Sequence, residues 1–438
     1  MARRVVITGL GTVSGLGIGI DPLWEALCAG RSAVDRVQAF DPSGFDSQIG
    51  CEVRDFKVSS FVPKSYRKAT KVMARDIELA VAAADLAVRN AGLVTPGTEP
   101  DLPRSYPGPR SGCHIGAGLI AAEVSELTAA LVEATDEQGR FDIHKWGREG
   151  MNHLTPLWML KYLPNMLACH VTIIHDAQGP SNTITCGEAS SGLSIGESMR
   201  VIQRGAADLG FCGGAESKLN PMAFFRQGLT GRLTRDRERP QGAIRPFDRQ
   251  ASGTALGEGG GIVTIENAAT AAQRGAKVYA ELAGFGAGHT VHPESGGLEP
   301  DPQGRGILAA IRSAMRDAGV GPRDIDVVIP LGSGIPAFDR AEAAAIRAAL
   351  GERAGAVPVW SATPFIGNCG ASAGGLAAAI AAKIVEQQTV PPRINCDEPI
   401  EGLQAASCPL EKRDIRHVLT FATSIGGQNA ALILRRAE

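Results

Sequence analysis

The sequence is poor in aromatic residues: 4 Trp, 4 Tyr and 13 Phe make up 5% of 438 positions. Its nine cysteines (28, 51, 113, 169, 186, 212, 369, 396 and 408) are odd in number and contain no C-x-x-C. That excludes a zinc ribbon and argues for a reducing cytosol rather than a disulfide framework. No sign of charge dominates, since 44 Lys and Arg face 46 Asp and Glu. A net charge of −2 makes no electrostatic case for nucleic acid or an anionic membrane as partner. Long apolar runs are missing as well. Val5-Val-Ile-Thr8 is too short for a signal segment, and Gly374 to Ala382 stops at Lys383, short of the ~20 residues a membrane span needs. The eight histidines form no H-E-x-x-H and no His–Cys pair at ligand spacing, so neither metal nor cofactor is expected. A cytoplasmic protein is the expectation.

What is present is small and apolar. With 44% apolar residues, 21% charged residues and 54 glycines, the chain can bury a large, closely packed core. Its length predicts two or more domains, or one large duplicated one. Two stretches read alike. Glu78 to Gly92 and Gly306 to Gly319 both carry apolar residues at helical spacing, and end in Ala-Val-Arg-Asn-Ala-Gly and Ala-Met-Arg-Asp-Ala-Gly. A strand candidate follows each, Gly112–Gly116 and Ile325–Pro330. The pattern predicts a duplicated α/β unit. The halves are placed at 1–265, carrying cap and interface insertions, and 266–438, after the strand candidate Gly261–Ile265. Thr95–Pro109, Ala134–Pro156 and the seven-arginine stretch Arg226–Arg249 read as loops, the last as solvated.

Two catalytic-looking motifs fail. Gly9-Leu-Gly11-Thr-Val-Ser14 lacks the third glycine of a dinucleotide fingerprint and reads as a tight turn leaving the first strand. Gly370-Ala-Ser372-Ala-Gly374, with Asp414 and His417, follows a hydrolase order. However, Phe365–Gly370 stands where an elbow needs its strand, so small residues packing a helix start are the better explanation.

Ser190-Ser-Gly-Leu-Ser-Ile-Gly196, Cys212-Gly-Gly-Ala-Glu-Ser217, Arg245-Pro-Phe-Asp248 and Gly257-Glu-Gly-Gly-Gly261 resemble the nucleophile helix and following signatures of β-ketoacyl-acyl carrier protein synthases. Val5–Gly11, Asp339 with Glu342, Val390-Pro-Pro392 and Gly426-Gly-Gln-Asn429 extend the resemblance over nearly the whole chain. It implies an α/β, thiolase-like fold whose duplicated halves form a layered α-β-α-β-α architecture. Active members use a cysteine that carries the acyl chain, two histidines and a lysine. The matching positions here are Glu188 for the cysteine, Leu331 and Asn368 for the histidines, and Thr363 for the lysine.

A carboxylate cannot replace the thiolate nucleophile, Leu331 donates nothing to a developing enolate, and Asn368 cannot cycle a proton near neutral pH. No catalytic residue is therefore expected at these degenerate positions. Glu188 can be read as a helix-start carboxylate worth roughly 0.5–2 kcal/mol, or as a mimic of the malonyl or acyl carboxylate that assists decarboxylative priming. Cys186 is the competing nucleophile, against a structural thiol.

In character the chain is most similar to the chain length factor, or ketosynthase-beta, of type II polyketide synthases. That resemblance implies a heterodimer with a catalytic ketosynthase, an acyl carrier protein as second partner, and a shared polyketide (or polyene) tunnel. Ile120, Glu123 and Leu127 match its tunnel helix, their i, i+3, i+7 spacing predicting one helical face, and Ile425 stands at the gating position. The alternative is a homodimeric condensing or malonyl-decarboxylating enzyme using Cys186 or Glu188.

Overall fold

The computed structural model describes residues 3–437. Nine strands carry the architecture. β1 (Val5–Ser14), β2 (Ser111–Ala117), β3 (Ser181–Ile184), β4 (Leu209–Ser217) and β5 (Leu256–Asn267) form one sheet. β6 (Ala280–His289), β7 (Val327–Ile329), β8 (His417–Thr423) and β9 (Gln428–Arg435) form the other. The full order is β7-β8-β9-β6-β1-β5-β4-β2-β3. These two sheets are the halves of one continuous hydrogen-bonded sheet, joined where Val6 pairs with Glu281 and Ile7 with Ala280.

The pairing repeats between the sheets. β3, β2 and β4 run parallel, and β5 and β1 complete that sheet antiparallel. β7 and β8 are parallel, and β9 and β6 follow antiparallel. Each parallel pair needs a helical crossover, which places helices on the sheet faces.

Eight helices build the layers: α1 (Arg75–Asn90), α2 (Val124–Glu133), α3 (Met166–His175), α4 (Ser190–Gln203), α5 (Pro221–Gly228), α6 (Arg305–Ala318), α7 (Pro336–Leu350) and α8 (Ala373–Gln387). α1 and α3 cover the outer face of the first sheet, α4 and α8 lie between the sheets, and α6 with α7 beside it covers the second. This is the expected α-β-α-β-α order. The sequence of α8, Ala-Gly-Gly-Leu-Ala-Ala-Ala-Ile-Ala-Ala-Lys-Ile-Val-Glu-Gln, is apolar on nearly every side, as a helix sandwiched between two sheets requires. The matched helices are α1 and α6. Both are followed by a glycine in the left-handed region, Gly92 at φ 62° and Gly319 at φ 68°, where the missing Cβ removes the steric cost.

Three expectations change. Gly9–Ser14 is not a turn, because β1 continues to Ser14. The glycine there serves packing: a Cβ on Gly11 would lie 1.8 Å from the Ala83 carbonyl oxygen of α1. Ala134–Pro156 is not structureless. It holds a helix, Ile143–Arg148, whose start is capped by Asp142 accepting from the His144 and Lys145 amides at 2.8 and 3.2 Å, and a 3-10 turn, Gly150–His153. The arginine-rich stretch is not solvated throughout, since Arg232 is buried.

Candidate functional site

The site sits where β3 leads into α4. A 3-10 turn, Gly187–Ala189, precedes the helix and carries Glu188. Two serines brace that turn. Ser424, from the β8–β9 connection, donates to the Cys186 carbonyl at 2.5 Å and accepts from the Ala189 amide at 2.8 Å. Ser190 accepts from the Cys186 amide at 2.8 Å and donates to the Gly187 carbonyl at 2.6 Å. One brace comes from the first residue of α4 and the other from the second sheet, so the turn is fixed between them. Ile425, half-buried, follows Ser424 directly in this connection.

Glu188 is 2% exposed. Its Oε1 accepts from Arg232 Nη2 at 3.0 Å and from Asn368 Nδ2 at 3.2 Å. The Asn368 amide is oriented in turn, because its Oδ1 accepts from the Gly370 amide at 3.0 Å. Arg232, 6% exposed, lays its guanidinium over the Phe338 ring at 4.6 Å. Burial alone would push the Glu188 carboxyl up. The charges of Arg232 and Lys218, its own backbone amide and Asn368 outweigh that and hold it at about 2. Glu188 is therefore an ionised carboxylate whose Oε1 takes two donors.

The other two replaced positions, Leu331 and Thr363, lie together. Leu331 follows β7 and shares a cavity of only about 20 Å³ with Thr363, Ile366, Ala377 and Phe421. The Thr363 hydroxyl donates to the Gly332 carbonyl, and the Gly332 amide donates to Glu342 Oε2 at 2.9 Å. Glu342 forms no ion pair among the described residues. Its Oε1 has no hydrogen-bond partner among the described residues, and burial, then the charge of Asp339, pushes its carboxyl well up. Asp339 is raised to about 7 by burial. The structure thus brings Glu188 and Asn368 into contact and places Leu331 and Thr363 together on one small apolar cavity.

Cys186 is half-buried and burial pushes its thiol up, which lowers its thiolate fraction and opposes use as a nucleophile. All nine cysteines are free. The hydrolase constellation is not assembled. Ser372 donates to the Cys369 carbonyl at 2.9 Å, whereas His417 Nδ1 bonds the Asp324 carbonyl at 3.0 Å. Among the described residues no group of three or more His, Cys, Asp or Glu side chains is arranged to hold a metal ion.

Ile120, Glu123 and Leu127 do not share a helical face, because α2 begins only at Val124. The delay has a local cause. Gly118 runs so close to Glu216 that a Cβ would lie 1.9 Å from its carboxylate, and the Glu123 amide is held by the Tyr162 hydroxyl at 3.3 Å. Ile120 is buried in the apolar cluster under α1 and α3, Leu127 is half-buried, and Glu123 is exposed. Glu123 lines an open polar cleft of about 650 Å³ with Arg75, Ser217 and Glu258.

Arg232, Lys218, Ser424 and Phe338 escaped the sequence reading. Arg232 stood as one of seven arginines, with nothing in the spacing to single it out.

The paired sheets, the two helices between them and the functional turn at a helix start define a thiolase-like, condensing-enzyme type of protein. The chain belongs to the β-ketoacyl synthase family. Residues 2–271 match the beta-ketoacyl synthase N-terminal domain and residues 279–397 the beta-ketoacyl synthase C-terminal domain. Among curated proteins it is 32% identical to 3-oxoacyl-[acyl-carrier-protein] synthase 2 of Coxiella burnetii, covering 99% of both chains. Identity to the Vibrio cholerae protein of the same name is also 32%, again over 99% of each. Among solved structures it is similar to the ishigamide ketosynthase/chain length factor, with a TM-score of 0.84 and 28% identity over 100% of both chains. A second is a type II PKS acyl-carrier protein in complex with its ketosynthase bound to the hexaketide, with a TM-score of 0.83 and 26% identity over 100% of both chains.

Proposed function

We propose that this chain is a non-catalytic ketosynthase-like subunit, a chain length factor. It pairs with an active ketosynthase in the cytoplasm and shapes the tunnel for a growing polyketide or polyene. The observation that carries the reading is the state of Glu188. At the nucleophile position stands an anion with no acyl-carrying chemistry, locked by Arg232 and Asn368, while both histidine positions and the lysine position are replaced.

Three surface features support a partnered chain. The excursion between β2 and α3 exposes Leu119, Val132, Phe141, Ile143, Leu157 and Met159, each more than half open to solvent. Next to it, β3 is an edge strand with hydrogen-bonding groups free on one side. The 3-10 segment Lys64–Val72 presents Lys64, Arg67, Lys68 and Lys71 on its surface with no ion pair among the described residues, a strip suited to an acidic acyl carrier protein.

Co-expression with a Cys-His-His ketosynthase should give a stable 1:1 complex by light scattering after gel filtration. A persistent homodimer that takes up no ketosynthase would overturn the reading. The names of the curated relatives support a second reading, a homodimeric condensing or decarboxylating enzyme. Acylation of Cys186 by a thiol-reactive acyl mimic, mapped by peptide mass, would favour that enzyme.

A further inference from the structure

The segment around Arg232 has two faces. Its backbone is pinned in an extended course: the Arg232 carbonyl accepts from the Thr254 amide at 2.9 Å, and the Thr234 amide donates to the Thr254 carbonyl at 2.8 Å. Side chains then alternate, as extended backbone requires. Arg232 and Thr234 are buried, while Leu233 and Arg235 line an open apolar cavity of about 710 Å³ together with Phe45, Phe224, Phe225 and Leu229. The segment is a thin wall, and the side chain it sends inward is the one that reaches Glu188. Gly231 before it, at φ 67°, provides the bend that a side-chain-bearing residue would resist.

Arg232 is placed as a plug. It stacks on Phe338, pairs with Glu188, and leaves its buried Nε without a hydrogen-bond partner among the described residues. An arginine is an expensive way to stabilise a turn that Ser190 and Ser424 already brace. What it does that those serines do not is fill the space over the helix start with a rigid, charged plane.

We propose that Arg232 closes this chain's own acyl site, so that no acyl chain or malonyl carboxylate enters it and the tunnel is left to the partner's site. The inference rests on the subunit reading above and adds the residue that enforces it.

The test uses the full chain in a Cys186→Ser background, with iodoacetamide as probe. Glu188→Cys puts a thiol at the plugged position, and Glu188→Cys/Arg232→Ala removes the plug. Rates are compared at the pH where each thiol is fully ionised, so that the effect of Arg232 on thiol ionisation drops out. The plug predicts that carbamidomethylation at 188, read by peptide fragmentation, is at least about tenfold faster in the double variant, with buried Cys212 and Cys369 unchanged. Equal plateau rates at 188, or acceleration shared by Cys212 and Cys369, would overturn it, the latter because general loosening rather than an opened site would be the cause. Glu188→Cys/Arg232→Gln, with a shorter neutral side chain, must show the same selective acceleration and decides the matter if the alanine variant does not fold. A failure here leaves complex formation untouched, so the two readings fall separately.

Discussion

Each charged group at the site is set by its nearest neighbours. Glu188 and Arg232 form a buried pair at 3.0 Å, with side chains 3% and 7% exposed. Removing one member leaves the other uncompensated, which typically costs about 3–5 kcal/mol. Glu188→Ala should therefore lower the urea midpoint sharply, whereas Glu188→Leu/Arg232→Met, apolar and of similar volume, should recover much of the loss. Equal loss in both would contradict a pair isolated from water. The pH dependence has two limbs of opposite sign. Glu188, held at about 2 against an ordinary 4.5, contributes stability above its unfolded value that is lost as pH falls toward 2. Asp76 is raised from 3.8 to about 8 by burial and then by the charge of Glu216. The folded chain keeps a proton that the unfolded chain releases, so this contribution is complete below about pH 4 and disappears as pH rises through about 8. Asp76→Asn keeps an oxygen for the Ser217 amide, which Asp76 accepts at 3.2 Å. Its melting temperature should fall less than that of the natural chain between roughly pH 6 and 8.5; parallel curves would contradict the assignment.

Elements meet through missing side chains. α1 reaches β1 because Gly11 has no Cβ, and α4 reaches the second sheet because Gly196 has none: a Cβ there would lie 2.3 Å from the Phe285 ring of β6. Gly11→Ala confronts backbone and should cost at least about 1–3 kcal/mol by chemical denaturation. Gly196→Ala confronts an aromatic side chain that can shift, so its loss should be smaller. The late start of α2 changes which residues can act on a tunnel. Ile120→Trp should read out as lost stability, because Ile120 belongs to the core. Leu127→Trp, at a half-buried position, should shift the length distribution of products made by the reconstituted pair, measured by mass spectrometry of released chains. Unchanged lengths would remove Leu127 from the tunnel.

At the scale of the whole molecule, two sheets of like topology enclose α4 and α8, and the site lies at the start of α4, on a turn braced by Ser190 of that helix and by Ser424 from the second sheet's β8–β9 connection. The same arrangement that supports condensation chemistry elsewhere in the family here supports a closed, charged plug beside an exposed apolar excursion and an unpaired edge strand.

Much of the fold was legible because it is written locally. The paired Ala-rich helices ending in glycine, the glycine-rich strands and the ordered signatures from Val5 to Asn429 pointed to the layered duplicated fold, and the positions now occupied by Glu188, Leu331, Thr363 and Asn368 pointed to lost catalytic groups. The turn reading failed at Gly9–Ser14, where Gly11 lets β1 run on against the Ala83 carbonyl, and the helical spacing failed at 120–127, where α2 begins only at Val124. The sequence by itself determined the architecture and which residues stand at the four positions the family uses for chemistry, since both follow from residue type and order. Only the tertiary structure decided that Glu188 is ionised and sealed. Its charge state depends on Arg232, 44 residues away, and Asn368, 180 residues away, and no local pattern encodes a field that exists only after folding brings those groups within 3.2 Å.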